Sequence, residues 1–173
     1  MVKKTMVVLC LCIVALSCAF AGESSVVVQA SPYSLQKASS SAGDFKSTYG
    51  FGLKAGYRYK LDNGLVIGAD VKYSNFKYAD VDNRYHVISV MAKVGGSQTI
   101  NKITVTVDLG GGVQMRILGK KSIATLGLNL YSGVGYAVSD KVSIECGADM
   151  GIAFQKNSTD LSVDVLLGAS IRL

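Results

Sequence analysis

From residue 25 to Leu173 the chain alternates apolar and polar residues with a period of two, and Gly, Asn, Asp and Ser gather between the alternating segments. Successive side chains of a strand point to opposite faces of its sheet, so this pattern calls for strands with one apolar and one polar face. Eight segments follow the rule: 25–35, 49–61, 65–76, 85–99, 103–117, 123–138, 142–155 and 161–173. In the seventh, Val142, Ile144, Cys146, Ala148, Met150, Ile152 and Phe154 share one face, while Ser143, Glu145, Gly147, Asp149, Gly151 and Ala153 share the other. The first segment is the least regular, because Pro32 cannot donate to a ladder and Val26-Val27-Val28 does not alternate. No stretch repeats apolar residues at i, i+3, i+4 and i+7.

The connections also carry information. Residues 62–64, 101–102 and 139–141 read as tight turns, and Asp62-Asn63-Gly64 suits a type I turn closed by a glycine at positive φ. The alternate connections, 36–48, 77–84, 118–122 and 156–160, are longer. An even number of strands with short turns at one end and longer loops at the other is the pattern of outer-membrane barrels, with both termini on the periplasmic side. The expected fold is all-β: an eight-stranded antiparallel up-and-down transmembrane β-barrel spanning residues 22–173.

A soluble barrel would alternate too, with its apolar face inward. Three features favour the opposite facing. From the second segment to the eighth the apolar face carries no Lys, Arg, Asp or Glu, and His86, near a loop, is its one titratable group besides Tyr and Cys146. Thirteen of the nineteen glycines lie on the polar face. Gly weakens a water-facing strand, but it suits an eight-stranded interior that side chains must fill. Finally, aromatics of the apolar face sit near segment ends, with Tyr57, Tyr59 and Tyr136 by the short turns and Tyr49, Phe51, Tyr73 and Phe154 by the long loops. Two such girdles mark the interfaces of a membrane barrel.

The polar face then lines the lumen. It holds Lys54, Arg58, Lys72, Lys93, Arg116 and Arg172 against Asp70, Asp108, Glu145, Asp149 and Asp164. Buried charges persist when paired and hydrogen-bonded, so these residues are expected to form structural ion pairs. With Leu61 opposite Leu65, Gly56 faces Asp70 and Arg58 lies diagonal to it; Asp108 falls near Lys93. Ion pairs filling the bore are the favoured expectation, and a narrow water or ion path is the alternative.

Residues 1–21 read as a signal peptide. Lys3 and Lys4 precede an apolar run at 6–16, and Ser17-Cys18-Ala19-Phe20-Ala21 ends in a small-x-small cleavage pattern. The run is too short to span a bilayer as a helix, which takes about 20 residues. An acylated Cys18 is the weaker alternative. Export removes three of the four cysteines and leaves Cys146 without a disulfide partner. Loss of Lys3 and Lys4 lowers the formal charge from +6 to +4. That weak excess, with no basic patch interleaved with aromatics, argues against nucleic-acid binding. Charged residues make up only 17% of the chain, below the roughly 25% of soluble domains.

The signal, the strand count, the turn asymmetry and the glycine-aromatic segment from Tyr49 to Tyr59 (YGFGLKAGYRY) resemble the small bacterial outer-membrane β-barrel proteins, the group that includes OmpX, OmpW and the OmpA transmembrane domain. The resemblance covers residues 22–173. It implies residence in the bacterial outer membrane, contact with outer-membrane lipids and recognition of the alternating last segment by the barrel-insertion machinery. Members of this group usually end in an aromatic residue, where this chain has Leu173. Its charged lumen differs from the apolar lumen associated with the OmpW-like members, and no peptidoglycan-binding domain like that of the OmpA-like members is expected. An extracellular ligand would be met by the loops, above all 36–48 with its serine run. The chain is expected to be monomeric.

Some barrels of this size are enzymes that use His with Ser and an acid at the outer rim. His86 is the single histidine, near Asp82, Tyr85 and Ser89, but alternation puts it on the apolar face and Ser89 on the other, which argues against a dyad. Asp80, Asp82 and Asn83 are oxygen ligands without the spacing of a known Ca²⁺ loop. Gly110-Gly111-Gly112 is followed by no Lys-Ser/Thr pair and no helix, so it reads as a bulge or bend and not as a phosphate loop. A non-enzymatic protein without cofactor is the expectation.

Overall fold

The structure, a computed structural model, describes residues 22–40, 43–78, 84–119, 121–155 and 158–173. The expected signal peptide at 1–21 and the acidic trio Asp80, Asp82 and Asn83 lie outside the described residues. Eight strands follow one another: β1 (Gly22–Ser40), β2 (Gly43–Leu61), β3 (Leu65–Tyr78), β4 (Arg84–Ile100), β5 (Ile103–Leu118), β6 (Lys121–Ala137), β7 (Val142–Gln155) and β8 (Ser158–Arg172). Each pairs antiparallel with its sequence neighbours, and β1 pairs with β8 as well, so the sheet closes into a barrel in chain order. No helix occurs among the described residues.

The irregular first segment enters the barrel fully. β1 pairs with both neighbours, and a bulge between Ala30 and Tyr33 in its ladder with β8 takes up Pro32, where a missing N–H costs no rung. Val27 turns inward and is buried, whereas Val28 is 55% exposed on the outside. The tight turns follow their chemistry. Gly64 takes φ +85° and its N–H donates to the Leu61 carbonyl at 2.9 Å, and Asn63 Oδ1 accepts from the Leu65 N–H at 3.0 Å.

The expected outer loops are mostly ladder. Lys37 pairs with Lys46 and Ser40 with Gly43, so the segment 36–48 is a β-hairpin tip and not a protruding loop. Likewise Leu118 pairs with Lys121, and Gln155 with Ser158. What remains is 41–42, 79–83, 119–120 and 156–157. The polarity of these segments suggested loops, but beyond the bilayer a strand needs no apolar face, so backbone pairing continues. β1 and β2 run for 19 residues each, where about 9–11 tilted residues cross a membrane. The asymmetry of the two ends lies chiefly in this overshoot.

The facing is apolar outward. Leu53, Val94, Leu109, Leu128 and Leu167 are all at least half exposed, and large apolar side chains clothe the barrel exterior. A water-dispersed monomer rarely shows such a continuous apolar surface. At the overshooting end Tyr33, Tyr49, Phe51 and Phe154 are exposed, with Tyr73 half-buried among them. The girdle at the turn end is thinner than expected. Tyr136 is exposed, but Tyr57 shares a hydrogen bond with Ser24 Oγ (2.8 Å), and Tyr59 is buried. Gly22 makes room for the Tyr59 ring, since a Cβ there would come within 2.8 Å of its Cζ.

Candidate functional site: the ion-pair network of the lumen

Inward-pointing positions of all eight strands converge on Tyr131, which β6 places in the bore between glycines 127, 133 and 135 of its own face. A Cβ on Gly133 would come within 2.6 Å of the Tyr131 Cζ, and one on Gly147 of β7 within 2.8 Å of its Cε2. The two glycines therefore form the slot that admits the ring. Three cations surround it: Lys54 Nζ at 4.3 Å from the centroid, Arg58 Cζ at 4.8 Å and Lys93 Nζ at 5.4 Å. The negative face of an aromatic ring attracts such groups, most strongly when they are desolvated.

On the turn side of Tyr131, Arg58 reaches across from β2 to β7, and one guanidinium nitrogen donates to both Glu145 oxygens at 3.1 and 3.0 Å. Gln29 Nε2 donates to Glu145 Oε2 and to Tyr131 Oη, both at 3.0 Å, and Tyr131 Oη lies 3.4 Å from the same carboxylate oxygen. These groups form the floor of a cavity of about 90 Å³ that opens towards the turns and is lined by hydroxyls such as Ser25, Ser97, Thr99, Thr106 and Ser143.

On the other side runs an alternating chain of acids and lysines. Asp108 meets Lys93 at 3.0 Å, Lys93 meets Asp70 at 3.0 Å, and Asp70 meets Lys54 at 3.4 Å. Lys54 meets Asp149 at 3.5 Å, Asp149 meets Lys72 at 3.6 Å, and Lys72 meets Asp164 at 2.6 Å. This path links β5, β4, β3, β2, β7 and β8 and crosses the bore. Asn129 Nδ2 donates to Asp149 at 2.8 Å, and Ser31 Oγ to Asp164 at 3.4 Å. Asp108, Asp149 and Asp164 are each at most 1% exposed. Ions held this far from water depend on their partners, because the cost of desolvation is offset only by close opposite charge and hydrogen bonds. Nearer the outer end, Arg116 pairs with Asp160, which also accepts from Gln155 Nε2 at 3.1 Å. Phe76, Leu166 and Met91 are buried on the same inner face, with Phe76 stacked on Tyr85.

Of the eleven residues expected to line the lumen, nine therefore share one network, Arg116 belongs to a separate outer pair, and Arg172 lies elsewhere. Arg172 is half exposed at the turn-end rim beside Glu23, 3.3 Å away, because the last rung of β8 meets water. The expected Arg58–Asp70 diagonal is also absent. Gly56 does face Asp70, but Asp70 turns to its other diagonal, Lys54, and to Lys93, which frees Arg58 to span the bore to Glu145. Tyr131, Gln29 and Asp160 were not anticipated. Tyr131 had a signal, as the single aromatic among Gly and Asn on its face of β6; Gln29 sat in the strand of ambiguous phase, and Asp160 in a segment read as loop.

His86 is half-buried on the outer face. Its Nδ1 lies 2.7 Å from Tyr73 Oη and 3.1 Å from Asn75 Nδ2, and its ring stacks on Tyr73. Ser89 is buried on the opposite face of β4, so the two do not form a nucleophile–base pair. Among the described residues no group of His, Cys, Asp or Glu is arranged to hold a metal ion.

A closed eight-stranded barrel, apolar outside and ionic within, defines a small transmembrane β-barrel. The chain belongs to the outer membrane protein beta-barrel domain family, whose model matches residues 6–171, and it is a protein of the bacterial outer membrane. It is similar in fold to Neisserial surface protein A (20% identity, TM-score 0.61, covering 87% of this chain and 97% of that one). It is also similar to a major outer membrane protein from Thermus thermophilus (12% identity, TM-score 0.60, 88% and 100%). A third likeness is Ail, the attachment invasion locus protein of Yersinia pestis (16% identity, TM-score 0.56, 89% and 100%). At these identities the likeness is one of fold. No curated protein matches the chain.

Proposed function

We propose that this protein is a monomeric, non-conducting and non-enzymatic barrel whose contribution to the outer membrane is structural or surface-interactive. The observation that carries this reading is the continuous path of buried charges from Asp108 to Asp164, floored by Arg58, Glu145 and Tyr131. An ion entering from the turn-end cavity would meet that floor and would have to part desolvated pairs to go further. Residues 1–21 act as a signal peptide, β8 with its alternating face serves the insertion machinery, and any extracellular ligand is met by the outer hairpins. The alternative is a small-solute or ion channel, for which the turn-end cavity would be the vestibule.

Planar-bilayer recording of protein extracted from the outer membrane, checked by mass to begin at Gly22, separates the two readings. Silence or brief spikes is the expected result. A steady conductance overturns the filled-lumen reading in favour of the channel.

A further inference from the structure

The barrel carries its excess positive charge at one end. Residues 37–48, 77–84, 118–122 and 156–159, at the overshooting ends of the strands, include seven basic and three acidic side chains. At the turn end, 22–24, 60–64, 99–104, 138–142 and 171–173 include four and three. Register makes the contrast sharper. Lys37 lies directly opposite Lys46 across β1 and β2, and Lys77 directly opposite Arg84 across β3 and β4. Like charges directly opposite each other destabilise an antiparallel pair, so two such pairs at one rim are a feature that an anion would relieve.

Their height on the barrel identifies the anion. Lys37 follows Tyr33 and Leu35 on the outward face of β1 and pairs on its other side with the exposed Leu161. Lys77 continues the outward row of Tyr73 and pairs on its other side with Tyr49 of the aromatic girdle. Arg84 is exposed and donates to Asn75 Oδ1 at 2.8 Å. These cations thus stand one step beyond the rings that sit at headgroup level. Acids are also near: Asp44 lies opposite Ser39, and Asp80 and Asp82 fall in the 79–83 connection. The turn end has no such outward pair in register, as Lys60 Nζ hydrogen-bonds Thr99 Oγ1 and Arg172 meets Glu23.

We infer that the outer ends of β1–β4 form a docking surface for phosphorylated glycolipid headgroups of the outer leaflet, with each opposed cation pair bracketing a phosphate. A phosphate oxygen accepts charge-assisted hydrogen bonds from both members of a pair, and the girdle holds the glycolipid's sugar and acyl portions at the matching depth. This surface is independent of whether the lumen conducts.

The test labels Cys146, exposed on the barrel exterior, with a dye, and reads energy transfer to fluorescent bisphosphorylated lipid A in phosphatidylcholine vesicles. Dephosphorylated lipid A and phosphatidylglycerol serve as competitors. Wild-type protein should prefer the bisphosphorylated lipid over both. Lys77→Gln with Arg84→Gln, and Lys37→Gln with Lys46→Gln, should each weaken binding by about fivefold per cation removed. Equal competition by dephosphorylated lipid A would show that sugar or acyl contacts decide, and equal competition by phosphatidylglycerol that any anionic surface suffices; either overturns the proposal, as do variants that bind like wild type. The three-lipid comparison on wild-type protein decides the matter even if a variant fails to fold.

Discussion

Arg58 and Glu145 allow the energetics of the lumen to be measured one pair at a time. The Glu145 carboxylate receives Arg58 on both oxygens and Gln29 on one, with Tyr131 Oη at 3.4 Å. Glu145→Ala leaves the guanidinium with no carboxylate within ion-pairing distance, next to the Tyr131 face and two lysines that also approach that ring. Arg58→Ala leaves the carboxylate still accepting from Gln29 and Tyr131. The two side chains are 13% and 10% exposed and border the turn-end cavity, so the loss falls below the value for a fully enclosed pair. Breaking an enclosed pair costs about 3–5 kcal/mol and breaking a surface pair about 0–1 kcal/mol. Between these limits Glu145→Ala should cost roughly 2–3 kcal/mol, and Arg58→Ala, with its partner still hydrogen-bonded, roughly 1–2 kcal/mol. The double variant should cost less than the sum by at least about 1 kcal/mol, as expected for partners in contact. Urea unfolding in lipid vesicles, followed by circular dichroism because the chain has no Trp, gives all four corners of the cycle. Losses that add to within about 0.5 kcal/mol, or an arginine deletion costlier than the glutamate deletion, would refute the pairing as the source of stability.

The slot around the central ring gives a second test. Gly147→Ala should destabilise by about 1–3 kcal/mol through overpacking, and adding Tyr131→Leu should recover part of that loss; the same unfolding assay reads both. The facing can be tested on one strand. Val94→Arg, in the middle of β4's outer face, should cost about 2–4 kcal/mol, and Ile100→Arg at its turn end about 0–1 kcal/mol. Equal penalties, or a soluble Val94→Arg protein, would count against the inside-out arrangement.

Strand existence and facing were legible in the sequence because both are properties of single residues in order. Alternation assigns each side chain to a face whatever its neighbours do, and a face without charge but crowded with Val, Leu and Ile has to avoid water. The turns were equally local, as the positive φ of Gly64 illustrates. What alternation cannot carry is where a strand stops. The 36–48 segment looks like loop by polarity, yet it is held by rungs such as Lys37–Lys46, which depend on the other strand being there. Pairing across the bore was hidden for the same reason. Sequence register put Asp70 beside Arg58, a neighbour in the ladder, but the long arginine side chain finds its partner on β7, which becomes close to β2 only when the barrel closes. The sequence by itself determined the strands, their two faces and the stock of charges; tertiary closure decided which charge meets which, because in a bore this narrow opposite walls come within one side chain's reach.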